Sequence, residues 1–568
     1  MKNQIDEMTA AQAIVDGLIR EGIKYVFGIT GDTVLPLLDA LHARQDEITY
    51  VTARGEMSAT SMADAYSRIT GEVACCLFHV GPSVAYSVLG TWSAHKDWVP
   101  LLILSANMDR YRLRRNIWHE FDVEGVFSKI TKWNDQLVEA KDSRRLLRSA
   151  LQAAKSGMPG PVHIDLPKDL FNQPVNVSSA DLSLKGATHM GMVENAVRPS
   201  QPAVDRAVEL LASAKSPVII AGRGVMWARA FDELVTFAET TGVPVVTTET
   251  GRGALSEDHP LCAGLVGHFG RQTANEITAQ ADVILGLGTG FLNVNTINWQ
   301  LIPEETKVIQ VETDPQELGK QYAVELGVHA CSGEFLRDVL ATYQAAGHNR
   351  DDSATRARIA VLKDRERALY YDTDLDASPI KSQYITKAIE EVFDEDAIYA
   401  IGSGYHTHFA NFLTVRKPDQ YLWPAGSGTL CYAFAAGLGA KMARPDRQVV
   451  VPIGDGDFGM NAQDLETAVR MKLNITVVIY NDVSYGALRI FQKNTYDGRY
   501  IGSHYGETDF VKMAEAYGAQ GLRAETPAEL KAALERARDA DVCTVIDARI
   551  DEWEPAHRAA EFGEFHKF

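Results

Sequence analysis

Apolar residues in this chain come in short continuous runs, each closed by Gly, Asp or Pro and parted from the next by a segment of helical period. In the first third the runs are Tyr25 to Gly28, Val73 to Phe78, Pro100 to Leu104 and Val162 to Asp165. The middle third has Val218 to Gly222, Val243 to Thr247, Val283 to Gly288 and Val308 to Val311. The last third has Ile398 to Gly402, Val449 to Gly454, Ile475 to Tyr480 and Val545 to Ala548. Strands that are apolar throughout are buried on both faces, as in parallel sheets covered by helices. Three such sets predict an α/β protein of three doubly wound parallel-sheet domains. Polar stretches without strand signal separate them, from about Asn172 to Pro202 and from about Ala345 to Ser378, which places the domains at 1–180, 195–345 and 375–568. In open α/β sheets ligands bind beyond the carboxyl ends of the strands. The residues just after each run are therefore the candidates for chemistry.

Length and charge narrow the picture. A chain of 568 residues exceeds what one core supports, in keeping with three domains. A formal charge of −19 argues against nucleic acid or an anionic membrane as partner, since both reward a basic face. Met1 to Glu7 lacks the basic-then-apolar pattern of a signal peptide, and no apolar run is long enough to span a bilayer. The six cysteines show neither CxxC nor metal-finger spacing and read as reduced core thiols, so a cytoplasmic protein is expected.

The most informative stretch is Gly454-Asp455-Gly456-Asp457-Phe458, at the end of the run Val449 to Gly454. It is coupled to Asn481-Asp482-Val483-Ser484-Tyr485-Gly486, which follows the next run. Glycines flanking an Asp let backbone amides approach a phosphate while the carboxylate holds a hard cation. Magnesium commonly bridges a carboxylate to a diphosphate, and a second oxygen ligand one βα unit later would complete such a site.

This pair of motifs resembles that of the thiamine diphosphate enzymes, and the resemblance runs over essentially the whole chain. It is closest to the group of benzoylformate decarboxylase, pyruvate decarboxylase and acetolactate synthase. Similar segments include Val26-Phe27-Gly28, Ala65-Tyr66-Ser67-Arg68, Pro159 to Pro167 and Asp464 to Ala468. The resemblance implies a pyrimidine-binding domain, a middle domain and a diphosphate-binding domain, in that order. It implies thiamine diphosphate and Mg2+ as cofactors, with Asp455, Asp482 and the carbonyl of Ser484 as metal ligands. The family's usual Asn-Asn pair reads Asn481-Asp482 here, so Asn481 is the alternative ligand. Asp457 adds a further acid where a small residue is usual, unless it is protonated or turned away.

Glu56 falls where the family places the glutamate that meets the pyrimidine N1′; taken alone it reads as a helix-surface residue. Leu430 matches the apolar wedge beneath the cofactor, Gly428 the carbonyl that accepts from its amino group, and His406 a diphosphate contact. With Gly454, Gly456, Phe458, Tyr485 and Gly486 these make up the cofactor-binding set. On the substrate side, Asp32 matches a catalytic aspartate of pyruvate decarboxylases, with helix N-capping as the rival reading. His79 matches a catalytic histidine of benzoylformate decarboxylase, with a satisfied core histidine as the rival. His119 lies in the loop that borders the active-site entrance, beside a run of four arginines between Asp109 and Glu120. Those arginines read either as recognition of a second anionic group or as a solvated face. Leu488 stands where pyruvate decarboxylases carry a glutamate, which disfavours that subtype.

In the middle third, Gly222-Arg223-Gly224 and Gly286 to Gly290 do not complete GxGxxG, so FAD is not expected. The expected reaction is a non-oxidative cleavage beside the carbonyl of a 2-oxo acid, whose product is either protonated or captured by a second carbonyl compound. An acyl-CoA lyase, an acetyltransferase and a catalytically silent assembly subunit are the alternatives. The family builds its site between chains, so a homodimer is the minimum unit and a homotetramer the expectation. The tail Glu552 to Phe568, with Trp553, Phe562 and Phe565, reads as a cover for the site or as an unattached terminus.

Overall fold

The computed structural model describes residues 5–178 and 196–554. Three parallel six-stranded sheets flanked by helices form three α/β domains. The described chain separates into two compact units. The first holds the residues up to 178 with segments 426–444 and 461–471; the second holds 196–425, 445–460 and 472–554.

In the first unit the strand order is Thr49–Thr52, Tyr25–Gly28, Ala74–His79, Leu101–Asn107, Val162–Pro167, Trp133–Gln136. The chain steps outward from Tyr25–Gly28 to Thr49–Thr52 and then returns on the other side as Ala74–His79. The carboxyl ends of Tyr25–Gly28 and Ala74–His79 therefore form a topological switch point, where a crevice opens. The helix Glu56–Thr70 is rich in Ser and Thr, yet almost all of it is buried. Thr60, Ser61 and Thr70 satisfy their hydroxyls on carbonyls one turn back, which makes that burial tolerable. Its partner is the helix Ala433–Ala443 of the same unit. A Cβ on Gly439 would lie 2.1 Å from the Met62 carbonyl, so the two backbones meet only because that residue is glycine.

The second unit carries the other two sheets. One has the order Cys262–Leu265, Val245–Thr247, Pro217–Ala221, Val283–Leu287, Lys307–Glu312, Leu326–His329. Its glycine-rich loops pack on each other: a Cβ on Gly222 would lie 2.4 Å from the Gly288 carbonyl, so these glycines serve a loop-to-loop contact. The other sheet runs Tyr421–Leu422, Ile398–Ala400, Val449–Gly454, Thr476–Asn481, Thr544–Arg549, Gln520–Ala524, repeating the topology of the first unit's sheet. Its switch point lies between Ile398–Ala400 and Val449–Gly454.

Two segments differ from the sequence expectation. The stretch from Asn172 contains a strand, Pro174–Ser178, paired antiparallel with Ile5–Thr9. Val175 and Val177 alternate with polar residues there, a pattern diluted by the Ser-rich sequence around it; residues 179–195 lie outside the described residues. The charged stretch 345–378 is largely the helix Ser353–Tyr370, with Ile359 and Leu362 in the core against the middle sheet and Tyr370 in the core of the third.

Candidate active site

The switch point of the first sheet gathers the three acid-base candidates of the N-terminal region. Asp32 follows Tyr25–Gly28, His79 ends Ala74–His79, and His119 lies in the loop beyond Leu101–Asn107. One ligand-type atom from each lies within 4.8 Å of the others. The His79 Nε2 and His119 Nδ1 atoms are 3.0 Å apart. On the other side of the ring, Nδ1 is 2.7 Å from Thr33 Oγ1 and 3.5 Å from Asp32 Oδ1. Two glycines permit this crowding. A Cβ on Gly31 would lie 2.5 Å from His79 Cγ. Gly81 has φ +73°, and its Cβ would lie 2.8 Å from the His119 carbonyl.

Asp32 does not cap the following helix Leu35–His42, whose N-cap is Val34 without a side-chain bond. Its carboxylate faces Lys168 at 3.3 Å instead. Burial works against ionisation, but Lys168 and His79 hold the Asp32 carboxyl below its ordinary range. Burial also pushes the His79 imidazole down, against the pull of Asp32. His79 is buried with a partner at each ring nitrogen, and it links Thr33 to a partly exposed His119 whose ring packs against Trp118, centroids 4.2 Å apart.

Glu56 opens the helix Glu56–Thr70 and is only 7 % exposed, so it is no surface glutamate. Burial raises its pKa, opposed by the adjacent Ser83 hydroxyl. The absence of a side chain at Gly55 leaves room for Tyr86, whose ring would touch a Cβ there at 3.1 Å. In the same unit the segment after Ala425 is pinned down. The Gly426 amide donates to Asp97 Oδ1 at 2.8 Å, and the Tyr432 hydroxyl donates to Asp64 Oδ1 at 2.6 Å. Between these anchors Gly428 is exposed at φ +59°, and Leu430 is half-buried.

The second unit holds the paired-motif residues. Asp455 is buried beside Asp482, and its Oδ2 has no hydrogen-bond partner. Desolvation, reinforced by the Asp482 charge, pushes the Asp455 pKa up to about 7. Asp482 is also raised by burial, held back by Arg489 and Ser484. Arg489, wholly buried, donates to Asp482 Oδ2 at 2.7 Å, and the Ser484 hydroxyl donates to Oδ1 at 3.0 Å. The Ser484 carbonyl accepts from the Tyr505 hydroxyl at 3.2 Å. Val483 between them sits at φ +56°, a strained setting for a β-branched residue. Two carboxylates and a carbonyl form a hard oxygen set, and an orphaned buried carboxylate oxygen is what a divalent cation would satisfy. The site therefore fits Mg2+. Asn481 is committed elsewhere: it donates to Asp547 Oδ1 at 2.7 Å and accepts from the Val483 amide at 3.2 Å.

The neighbouring residues shape a cradle. His406 is buried against Gly402 and Gly454; a Cβ on Gly454 would meet its Nδ1 at 3.0 Å. Burial pushes its pKa down to about 3, so the ring is neutral. Asp457 turns to the Ser403 amide, which donates to it at 3.0 Å. Tyr485 faces Gly456, where a Cβ would lie 2.7 Å from the ring, and Gly486 leaves space for Asp482. Phe458 is fully buried, edge-on to Phe510.

In the arginine-rich loop, Arg110 pairs with Asp169 and Arg112 with Asp109, so two of the four arginines serve local structure. Arg489 also holds Glu552, and Trp553 stacks over its guanidinium at 4.5 Å; residues 555–568 lie outside the described residues. Sequence reasoning missed roles for Thr33, Lys168, Arg489 and Tyr505. An Asp where an amide is usual calls for a buried counter-cation, which could have pointed to Arg489. Tyr505 reaches back from 21 residues downstream, and no local pattern marks it.

A buried helix-start carboxylate in one unit and two carboxylates after adjacent parallel strands in the other match the pattern by which the sequence resembles the thiamine diphosphate enzymes. Comparison with known families places the chain among them: it belongs to the thiamine pyrophosphate enzymes. Their N-terminal TPP binding domain matches residues 8–126, their central domain 204–339 and their C-terminal TPP binding domain 402–548. Among relatives, a "Probable acetolactate synthase large subunit" of Methanocaldococcus jannaschii is 32% identical over 96% of this chain and 92% of its own length. The "Acetolactate synthase isozyme 3 large subunit" of Escherichia coli is 31% identical over 94% and 92%.

Proposed function

We propose that this enzyme is a magnesium-dependent, non-oxidative decarboxylase of a 2-oxo acid that protonates the decarboxylated fragment to release an aldehyde. The observation behind this reading is the cluster of Asp32, His79 and His119, three proton-exchanging side chains within 4.8 Å of one another at a switch point. Bound thiamine diphosphate would supply the electron sink that lets carbon dioxide depart. Glu56, buried and with a raised pKa, is suited to share a proton with the pyrimidine ring. Asp455, Asp482 and the Ser484 carbonyl would hold the cation, and the commitments of Asn481 favour Asp482 over it. His406, Gly454, Gly456 and Gly486 would line the diphosphate, with Leu430 and Gly428 serving the rings. Asp32 and the hydrogen-bonded pair of His79 and His119 would deliver and remove protons at the substrate.

Carboligation, in which a second carbonyl compound captures the fragment, is the second reading; the names of the relatives favour it. A second copy of the chain as partner is supported by the helix Pro82–Lys96, which exposes Tyr86, Leu89 and Trp92 at three-residue spacing. We propose a homodimer as the minimum unit and a tetramer of two dimers, which sedimentation of the purified protein checks. No described helix is long and apolar enough to cross a membrane.

The deciding experiment is carbon dioxide release from pyruvate, benzoylformate, branched-chain and dicarboxylic 2-oxo acids, with thiamine diphosphate and Mg2+ added or withheld. Cofactor-dependent release with an aldehyde product supports the first reading, and an acyloin or acetolactate-type product the second. No release from any acid, despite cofactor binding, would overturn both.

A further inference from the structure

The hydrogen bonds around His79 have a direction, and it begins at a residue outside the expected site. Thr33 Oγ1 lies 2.7 Å from the Ala106 carbonyl and 2.7 Å from His79 Nδ1. A carbonyl only accepts, so the single hydroxyl proton of Thr33 points to Ala106, and Oγ1 must accept from His79. His79 Nδ1 therefore carries the hydrogen. Asp32, the second group near that nitrogen at 3.5 Å, is also an acceptor and agrees with this assignment. The Nε2 atom of neutral His79 is then a lone pair. It stands 3.0 Å from His119 Nδ1, which must carry the hydrogen between them. This leaves Nε2 of His119 as the basic nitrogen of the pair.

We propose that Thr33 is a positioning residue that fixes His79 as its Nδ1–H tautomer and so makes His119 Nε2 the nitrogen through which the pair exchanges a proton with substrate. A proton arriving at His119 Nε2 breaks no hydrogen bond: the imidazolium still donates from Nδ1 to His79. A proton arriving at His79 Nε2 would set two N–H groups face to face. The surroundings point the same way. Burial disfavours a charged His79, and Lys168, 3.3 Å from Asp32, adds positive charge on that side. The geometry thus leaves the free nitrogen of the pair on the less buried ring. His79 relays orientation rather than the proton itself, and Thr33 is the fixed end of the chain, 0 % exposed.

The proposal rests on the decarboxylase reading for its catalytic half, and its structural half is measured without turnover. Histidine labelled with 15N in the resting protein reports each ring's tautomer, with His79 and His119 assigned by the signals lost in His79→Asn and His119→Asn. Wild type should show His79 protonated at Nδ1. Thr33→Val should give a mixed tautomer and lower kcat about 10- to 100-fold with KM nearly unchanged, and Thr33→Ser should restore both. The pH profile of kcat should lose the inflection of the pair in His119→Asn. An Nε2–H His79 in wild type, or a Thr33→Val protein with wild-type tautomer and kcat, would overturn the proposal. Failure of Thr33→Ser to rescue would make Thr33 a packing residue only and overturn it too. If no 2-oxo acid is turned over, the decarboxylase reading falls, and the tautomer still decides what Thr33 does.

Discussion

Replacing Asp455 with Asn separates the cost of a buried carboxylate from its use. Asp455 is 3 % exposed, its Oδ2 lacks a partner, and Asp482 adds its charge. Burial, reinforced by Asp482, moves its pKa from 3.8 to about 7. This is a little over three pH units, and at about 1.4 kcal/mol per unit the ionised form costs roughly 4 kcal/mol above neutrality. The sign follows from proton binding. Between pH 3.8 and about 7 the folded protein holds a proton that the unfolded chain has released. The group's contribution is therefore most favourable at low pH and is lost as pH rises through about 7. Asn removes the charge but buries an amide, so about 2 kcal/mol of net stabilisation is expected at pH 8, and less at pH 5. The assay is thermal unfolding in a chelator from pH 5 to 8.5, at one scan rate because a chain of several domains need not unfold in two states. Parallel scans add thiamine diphosphate and Mg2+. Asp455→Asn should melt higher than wild type without cofactor, by a margin that widens with pH, and should gain nothing from the cofactors. Wild type should gain more from them at pH 8 than at pH 6. A metal-free variant melting below wild type throughout, or one still stabilised by the cofactors, would refute the reasoning.

Three further substitutions test the rest of the site. Glu56→Gln should lower cofactor-dependent carbon dioxide release at least about 100-fold while leaving cofactor binding, followed by tryptophan quenching, within a few-fold of wild type. Arg489→Met strips the buried counter-cation from Asp482, and loss of one member of a buried pair costs about 3–5 kcal/mol; the thermal midpoint should fall without cofactor and be partly restored by Mg2+. Tyr505→Phe removes the hydroxyl that Ser484 accepts from, a contact one step out from the proposed cation, so Mg2+ affinity should drop about tenfold with the fold intact by circular dichroism.

What the chain reveals before folding depends on where a strand sits in its sheet. Each of the three sheets has four inner strands, and all twelve correspond to apolar runs legible in the sequence. Within these sheets the six strands without such a signal are the six edges: Thr49–Thr52, Trp133–Gln136, Cys262–Leu265, Leu326–His329, Tyr421–Leu422 and Gln520–Ala524. An inner strand is covered on both faces and is mostly apolar, with its few polar residues largely buried; an edge strand can be short, half-exposed or glycine-containing, as Trp133–Gln136 and Leu326–His329 are. The candidate site divides in a similar way. Asp455 and Asp482 stand in a pair of motifs legible in the sequence, whereas Glu56 is singled out only by the family resemblance. Thr33 on His79, Tyr505 on Ser484 and Arg489 on Asp482 act from places set only by tertiary packing. The orientation of Asp457 toward the Ser403 amide is of that second kind, since the sequence fixes its charge and not its direction.

The inclusion of segments 426–444 and 461–471 in the first unit bears on how the protein is made. Asp64 and the helix Glu56–Thr70 find their partners, Tyr432 and the helix Ala433–Ala443, only when those late residues exist. At about 5–20 residues per second, a ribosome needs roughly 15–60 s to travel from residue 178 to 471. During that interval the nascent first sheet presents a helix face built for burial, dense with Ala, Met and a charged pair, to the solvent. Synthesis of this enzyme should accordingly draw on chaperone capacity in proportion to translation time. A gene fragment ending before Gly426 should yield insoluble protein however complete its first sheet is.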